Sequence, residues 1–344
     1  MLNYIDKLRI AATFLVFCLH SLLFTGKNFP MMDILKDSGG YFIFFTPAWG
    51  GVWIFFVLSG FLAGVSWLSG RYSLTRAGVI KYYKRKIYRI YIPTVFFIGF
   101  AVLVANPSFL EDWRIVLSIF TSTYNGRPGF FGIGATWYVF SLMWLYAIVP
   151  VLYAIYSKYS RYVVFGVSLV LGILMRTFWF YSGYDWYIMY TFPICNIDLF
   201  SCGFGVAYWH DDIKVQVKKC YRFSLLFFMG GLIVSNAYII AFNWHLEFYQ
   251  YFFPTLYLIL SCLYLWLFRI DAGRLHLADI VKKYFKKFSN ISFEFYLFHS
   301  LIFGLICSHV GGHSAIGQWV KYVFIGMIIT LICAKGWNKI FQSR

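Results

Sequence analysis

The sequence predicts an all-α, polytopic integral membrane protein: one helical bundle of about ten spans, residues 1–344 forming a single domain, with the N- and C-termini cytoplasmic. Three observations predict it. Apolar runs long enough to cross a bilayer, roughly 20 residues each, recur along the whole chain. Hydrophobic residues make up 61% of the chain and charged residues 12%. That is about half the charged fraction of a soluble domain and leaves little sequence for one. The basic residues, which give a net charge of +17, fall in the gaps between the apolar runs and favour alternate gaps.

The spans are placed, in order, at 8–25, 49–68, 91–107, 136–156, 162–180, 189–209, 223–242, 250–268, 289–307 and 318–334. The first is followed by Lys27 and Asn28 with no small-residue cleavage pattern, so it reads as a retained span and not a signal peptide. The second ends with Gly60 and Gly64, a small-xxx-small pair that suits helix packing; Ser59 beside it also suits a ligand niche. Residues 110–123 read as an amphipathic surface helix or part of a re-entrant segment. Residues 125–135 hold four glycines and a proline, which do not sustain a regular helix. A mobile lid, a loop entering a cavity and a plain connector all fit them.

Orientation follows from charge. With the N-terminus inside, segments 1–9, 69–90, 157–161, 210–222, 269–288 and 335–344 hold 24 of the 30 Lys and Arg residues. The outside loops keep Lys27, Lys36, Arg114 and Arg127, while Arg176 and Lys321 lie in or beside spans. Shifting the count by one span would mix the two sets, so the positive-inside rule fixes parity and orientation together. The same distribution argues against nucleic acid as the partner of the basic residues and for anionic membrane lipids. The seven cysteines are scattered and contain no C-x-x-C pair. They read as packing residues, neither a disulfide framework nor a metal site.

Ionisable groups inside apolar spans are costly unless they face a cavity or a partner, so they are the place to look for function. The set is His20, Arg176, Asp198, Glu294 and His299. His20 lies eleven residues after Arg9, which at about 100° per residue is three turns plus about 20°, and roughly 16 Å along the axis. Both therefore share one stripe of the first helix, the arginine at the cytoplasmic mouth and the imidazole deep in the membrane. That pair suits a long substrate whose anionic head stays at the mouth while its reactive end reaches the histidine. A neutral buried imidazole suits a general base that deprotonates a hydroxyl. The alternative is a histidine satisfied by a neighbouring helix. His299 reads as a second site residue or a structural hydrogen-bonder, and Asp198 and Glu294 as relays or as partners for Arg176 or a histidine. Lys81, Arg85 and Arg89 recur at i, i+4 and i+8 on one helical face, which suits phosphate binding or simple anchoring.

Five pieces in order then resemble acyltransferase family 3, the membrane group that includes many bacterial O-acetyltransferases of surface glycans. They are Arg9 with His20; Trp53-Ile-Phe-Phe-Val-Leu-Ser-Gly-Phe61; Arg85-Lys-Ile-Tyr-Arg-Ile-Tyr-Ile-Pro93; Thr136-Trp-Tyr-Val-Phe-Ser141, closing at Pro150; and Ser292-Phe-Glu-Phe-Tyr-Leu-Phe-His299. The resemblance implies a multi-pass protein of the bacterial cytoplasmic membrane. It implies no bound cofactor, with acyl-CoA, usually acetyl-CoA, as donor substrate from the cytoplasmic side. The acceptor is a hydroxyl of a glycan or lipid-linked sugar. His20 matches the proposed catalytic histidine, Arg9 its companion, and Arg85, Lys86 and Arg89 the basic donor motif. Ser59, Trp137, Tyr138 and His299 are placed by location in the substrate site. Two departures stand out. Lys86 replaces a frequent arginine and loses its planar fork, and Leu142 stands where many members carry a glutamate. The rival class is a glycan or lipid transporter coupled through Asp198, Glu294 and Arg176; the absence of an obvious internal repeat weighs against it.

Overall fold

The computed structural model describes residues 4–26, 48–105, 112–121, 123, 133–183, 186–209, 230, 246–267, 279–309 and 316–342. Among them every regular element is a helix. Helix α1 covers Tyr4–Gly26 and α2 Ala48–Leu68. Helix α3, Arg76–Lys86, runs through a π-helical stretch, Ile87–Tyr91, into α4, Ile92–Ala105. Then come α5 (Trp113–Phe120), α6 (Trp137–Ala147), α7 (Val149–Lys158), α8 (Arg161–Tyr181), α9 (Trp186–Thr191) and α10 (Ile197–Trp209). The chain closes with α11 (Leu246–Leu267), α12 (Asp279–Asn290), α13 (Ser292–His309) and α14 (Ile316–Gln342).

Four stretches are long and apolar enough to cross a membrane unaided: Trp49–Leu68, Arg76–Ala105, Arg161–Tyr181 and Lys321–Phe341. Two bent pairs, Gly134–Ala147 with Val149–Lys158 at 45° and Lys283–Asn290 with Ser292–Ile306 at 70°, raise that to six. Apart from Gly230, the expected span 223–242 lies outside the described residues, as does most of the glycine-rich loop 125–135. Helix α5 has eight residues, about 12 Å of rise, too short to cross. Its Trp113, Leu117 and Phe120 are exposed while Ile119 is buried, as expected of an amphipathic segment.

The expected span 189–209 is broken, and the sequence explains where. Pro193 has no N–H to donate and pushes the residue before it out of the α region; Phe192 is accordingly extended, at φ −74° and ψ 129°. The carbonyls released by the break are taken up locally. Asn196 Nδ2 donates to Tyr190 O at 2.9 Å and Phe192 O at 3.1 Å, and the Ser141 hydroxyl donates to Thr191 O. Such a break is tolerated at membrane depth because protein groups satisfy the freed backbone.

The centre of the bundle is α2 against α10, with α1 and α11 packed on α2 and α13 packed between α1 and α14. In α8, Val164, Ser168, Gly172 and Arg176 are buried at every fourth position, while Val163, Val167, Leu174 and Phe178 are exposed. One face therefore meets protein and the opposite face presents apolar side chains, as lipid requires. The closest approach in the core depends on glycine: a Cβ on Gly60 would meet the Phe200 carbonyl, and one on Gly203 would meet Val57 backbone. Backbone cannot rotate away as a side chain would. A Gly60→Ala protein is therefore expected to lose about 1–3 kcal/mol through overpacking, seen as a lowered midpoint of thermal unfolding in detergent. Gly99→Ala, where a Cβ meets nothing within 4 Å, is the control. An unchanged midpoint for Gly60→Ala would refute the close approach.

Candidate active site

The site is organised by α1 and the bend between α12 and α13. Near the start of α1 the Arg9 guanidinium reaches across to α12, its Nη1 donating to Ser289 Oγ at 3.3 Å and approaching Ser289 O at 3.5 Å. The Ser289 hydroxyl in turn donates to Asp6 Oδ1 at 2.7 Å, and Lys286 Nζ donates to Asp6 Oδ2 at 2.8 Å. Asp6 is buried. This chain of polar contacts fixes where Arg9 points.

Eleven residues further along the same unbroken helix, roughly 16 Å by helical rise, His20 lies against His299 of α13. The rings are edge-on, with centroids 4.7 Å apart and planes at 79°. His20 Nδ1 is 2.9 Å from Val16 O. A carbonyl only accepts, so Nδ1 carries the hydrogen and Nε2 carries the lone pair. The same logic applies to His299, whose Nδ1 contacts Tyr296 O. His299 Nε2 is buried and meets no hydrogen-bond partner among the described residues. Two acceptor nitrogens on adjoining rings, one buried and one half-buried, are well suited to receive a proton from a hydroxyl. Arg9 and His20 both turn toward the α12–α13 unit, as residues on one helical stripe should.

Between α1, α2, α3, α6 and α13 lies a cavity of about 310 Å³. Among the described residues its cations are Arg9, Arg71, Arg85, Lys86 and Arg89, and no carboxylate lines it. The π-helical stretch after α3 matters here, because its wider turn holds Arg89 near the side that carries Arg85 and Lys86. Lys81, expected on the same face, does not line the cavity. The Lys86 ammonium lies over the Tyr146 ring, 3.5 Å from its centroid, a cation–π contact. Leu142 also lines the wall, so the glutamate common near that position in the resembling sequences would have added a carboxylate here.

The cavity's inner end is aromatic. Ser59 Oγ and Tyr138 OH lie 3.3 Å apart and both face the cavity with Phe55 and Tyr296. The histidines do not line it. Tyr296 stands between: it borders the cavity, its ring centroid is 5.4 Å from that of His299, and its hydroxyl donates to Ala135 O at 2.6 Å. Trp137 does not line the cavity either; it packs on Tyr190, centroids 4.4 Å apart. The structure thus gathers Arg9, Ser59, Arg85, Lys86, Arg89 and Tyr138 round one cavity, sets His20 and His299 together behind Tyr296, and leaves Trp137 in the aromatic packing.

The remaining ionisable residues are tied into packing. Arg176 of α8 and Asp198 of α10 form a buried two-pronged ion pair, Nη1 to Oδ1 at 3.1 Å and Nη2 to Oδ2 at 2.7 Å. Glu294 Oε1 accepts from Asn338 Nδ2 at 3.0 Å, joining α13 to α14.

A family model described as an acyltransferase domain matches residues 2–335, nearly the whole chain. The chain belongs to acyltransferase family 3. No curated protein and no solved structure matches it. Family-3 membership makes the chain a membrane acyltransferase, and the five-cation cavity is where its chemistry is to be sought. Two features of the cavity and its supports went unread in the sequence. Arg71 hid within a generally basic segment. Asp6 and Ser289 pair across 283 positions, a contact without local periodicity, although Asp6 lying three residues before Arg9 was a usable hint.

Proposed function

We propose that this family-3 protein moves an acyl group, acetyl first among candidates, from acyl-CoA on the cytoplasmic side to a hydroxyl of a glycan or lipid-linked sugar. It does so in the cell membrane, as a bundle of about ten spans with both termini cytoplasmic. The observation that carries the reading is the five-cation, carboxylate-free cavity on the same helix, α1, that holds the His20–His299 pair. A phosphate-rich donor such as coenzyme A is the kind of ligand such a cavity selects. Arg85 and Arg89, exposed at the mouth, meet the nucleotide phosphates; Lys86, already over Tyr146, adds charge from behind. The pantetheine arm then runs along the Arg9–His20 stripe.

In this reaction the acceptor oxygen attacks the thioester carbonyl carbon as its proton passes to His20 Nε2. The carbon–sulfur bond breaks, the proton is handed on to the departing thiolate, and the products are an ester and free coenzyme A. In this reading Ser59 and Tyr138, whose side chains face the cavity, donate toward the developing oxyanion. Phe55 and Tyr296 close the inner end of the cavity, so the donor's entry requires those rings to part. Freeing Tyr296 breaks one hydrogen bond, a net cost of about 1 kcal/mol, small beside the binding energy of a nucleotide. The occupation of Arg176 and Asp198 by each other in α8–α10 supports this reading over a transporter coupled through them.

The test is to incubate membranes holding the protein with acetyl-CoA labelled in the acetyl group and to follow label into the envelope glycan and lipid fractions. Arg89→Ala is expected to raise the donor KM about 10- to 100-fold, the worth of one or two charge-assisted bonds, with kcat changing far less. Failure of any fraction to take up label from acetyl- or other short acyl-CoA would overturn the proposal.

A further inference from the structure

On the other side of α1 from the cationic cavity lies a second, larger cavity of about 850 Å³. Its walls are apolar: Phe14 and Phe17 of α1, Phe295 of α13, and Met327 and Leu331 of α14. Its rim is not. Lys7, Lys287 and Lys335, from three different helices, border it, and among the described residues no carboxylate does. The two surfaces of α1 follow from its sequence, since positions 7, 10, 14 and 17 recur at three- and four-residue steps and form one face, distinct from the stripe of Arg9 and His20.

The geometry fixes a depth. Helix α12 leaves the axis of α13 at 70°. It carries exposed Ile280 and Tyr284 beside exposed Lys283 and Lys287. A charged, aromatic helix turned away from the spans in this way lies in the headgroup plane. Lys287 therefore marks headgroup level, and the groove runs inward from there. From Lys7 to Phe17 is ten residues, about 15 Å, half the roughly 30 Å hydrocarbon core. The groove is one leaflet deep, apolar along its length and cationic only at the headgroup end.

We propose that this groove is a specific site for an anionic phospholipid of that leaflet, its phosphate among Lys7, Lys287 and Lys335 and one acyl chain lying against Phe14, Phe17 and Leu331. The charge pattern decides the class of lipid. Three basic side chains bordering one groove attract an anionic headgroup and gain little from a zwitterionic one. The site is separate from acyl transfer and does not depend on the donor or acceptor proposed above. It also touches the polar chain that fixes Arg9, because Lys286 and Ser289 of α12 flank the lysine that would hold the headgroup.

The test uses purified full-length protein, stripped of lipid by extended detergent exchange and then given phosphatidylglycerol and phosphatidylcholine of identical chains in equal amounts. Native mass spectrometry counts what stays bound. The expected result is one tightly retained phosphatidylglycerol, favoured at least about tenfold over phosphatidylcholine. In the Lys7→Gln, Lys287→Gln, Lys335→Gln triple variant that preference disappears. Met327→Trp, which fills the groove and leaves the lysines, is expected to lose retention of both lipids, and it decides the question should the triple variant fold poorly. Equal retention of the two lipids by the wild type overturns the proposal. So does a preference that survives the triple substitution, displacement of the lipid by millimolar inorganic phosphate, or no retention at all, as would follow if another part of the chain filled the groove.

Discussion

His20→Ala is expected to lower acyl transfer by about 10²- to 10⁴-fold, the usual worth of a positioned general base, while the protein still inserts and elutes as wild type does. The geometry makes the expectation specific to one nitrogen. Val16 O accepts from Nδ1–H of His20, so the lone pair that a base would need lies at Nε2. Asparagine can keep the bond to Val16 but has nothing at the Nε2 position, and glutamine can reach that position but cannot take a proton. Both His20→Asn and His20→Gln should therefore be as inactive as alanine. The measurement is label transferred from acyl-CoA to acceptor, with binding of a non-hydrolysable donor analogue as the companion. The analogue should bind the His20 variants normally, because the cations that line the cavity are untouched. Near-normal turnover by any of the three variants would remove His20 from the chemistry.

His299 separates the two roles the pair can play. Its Nδ1 is engaged by Tyr296 O and its Nε2 is buried without a partner among the described residues. A buried acceptor left unsatisfied costs about 1–3 kcal/mol, which makes His299 the second residue to test beside His20. An entering hydroxyl has one proton and can donate to only one of the two Nε2 atoms. Ring packing against Tyr296, which borders the cavity, sets His299 one side chain behind its wall.

How much of this was legible in sequence depended on whether the signal was local. The helical class, the spans around α2, α4, α8 and α14, and the shared stripe of Arg9 and His20 all follow from composition and from periodicities within one helix. Gly60 was legible as packing because small-xxx-small spacing is local too; that it meets the Phe200 carbonyl was not. The break at Pro193 was in plain view, since proline punctuates helices, yet a continuous apolar run concealed it: hydropathy does not distinguish a straight span from one whose loose carbonyls are met by Asn196 and Ser141. Most of what assembles the candidate site is long-range. The Asp6–Ser289–Arg9 chain and the His20–His299 contact each join residues about 280 positions apart, and no periodicity reaches that far. The motif resemblance supplied that information indirectly, by listing the pieces that the fold brings together.

The second large effect is expected at Arg176, in stability and not in catalysis. Arg176→Met should cost about 3–5 kcal/mol, the penalty for breaking a buried ion pair from one side, and most of the protein should fail to reach the folded, detergent-stable state. The reason lies in what the guanidinium satisfies. Besides both oxygens of Asp198 it donates to Cys195 O at 2.7 Å and Thr255 Oγ1 at 3.1 Å, so one side chain holds α8, the segment restarted after Pro193, and α11. Removing it strands a carboxylate with 0% exposure and a backbone carbonyl released by the helix break. Removing both charges is a different experiment. In Arg176→Met with Asp198→Leu no carboxylate is left unpaired, and replacing a buried pair by apolar groups of similar volume is often close to neutral. The double variant should therefore recover much of the lost thermal midpoint, short of the share that belongs to Cys195 O. If the pair is structural, the recovered protein also transfers acyl groups. A double variant that folds like wild type but transfers nothing would instead place the ion pair in the working mechanism.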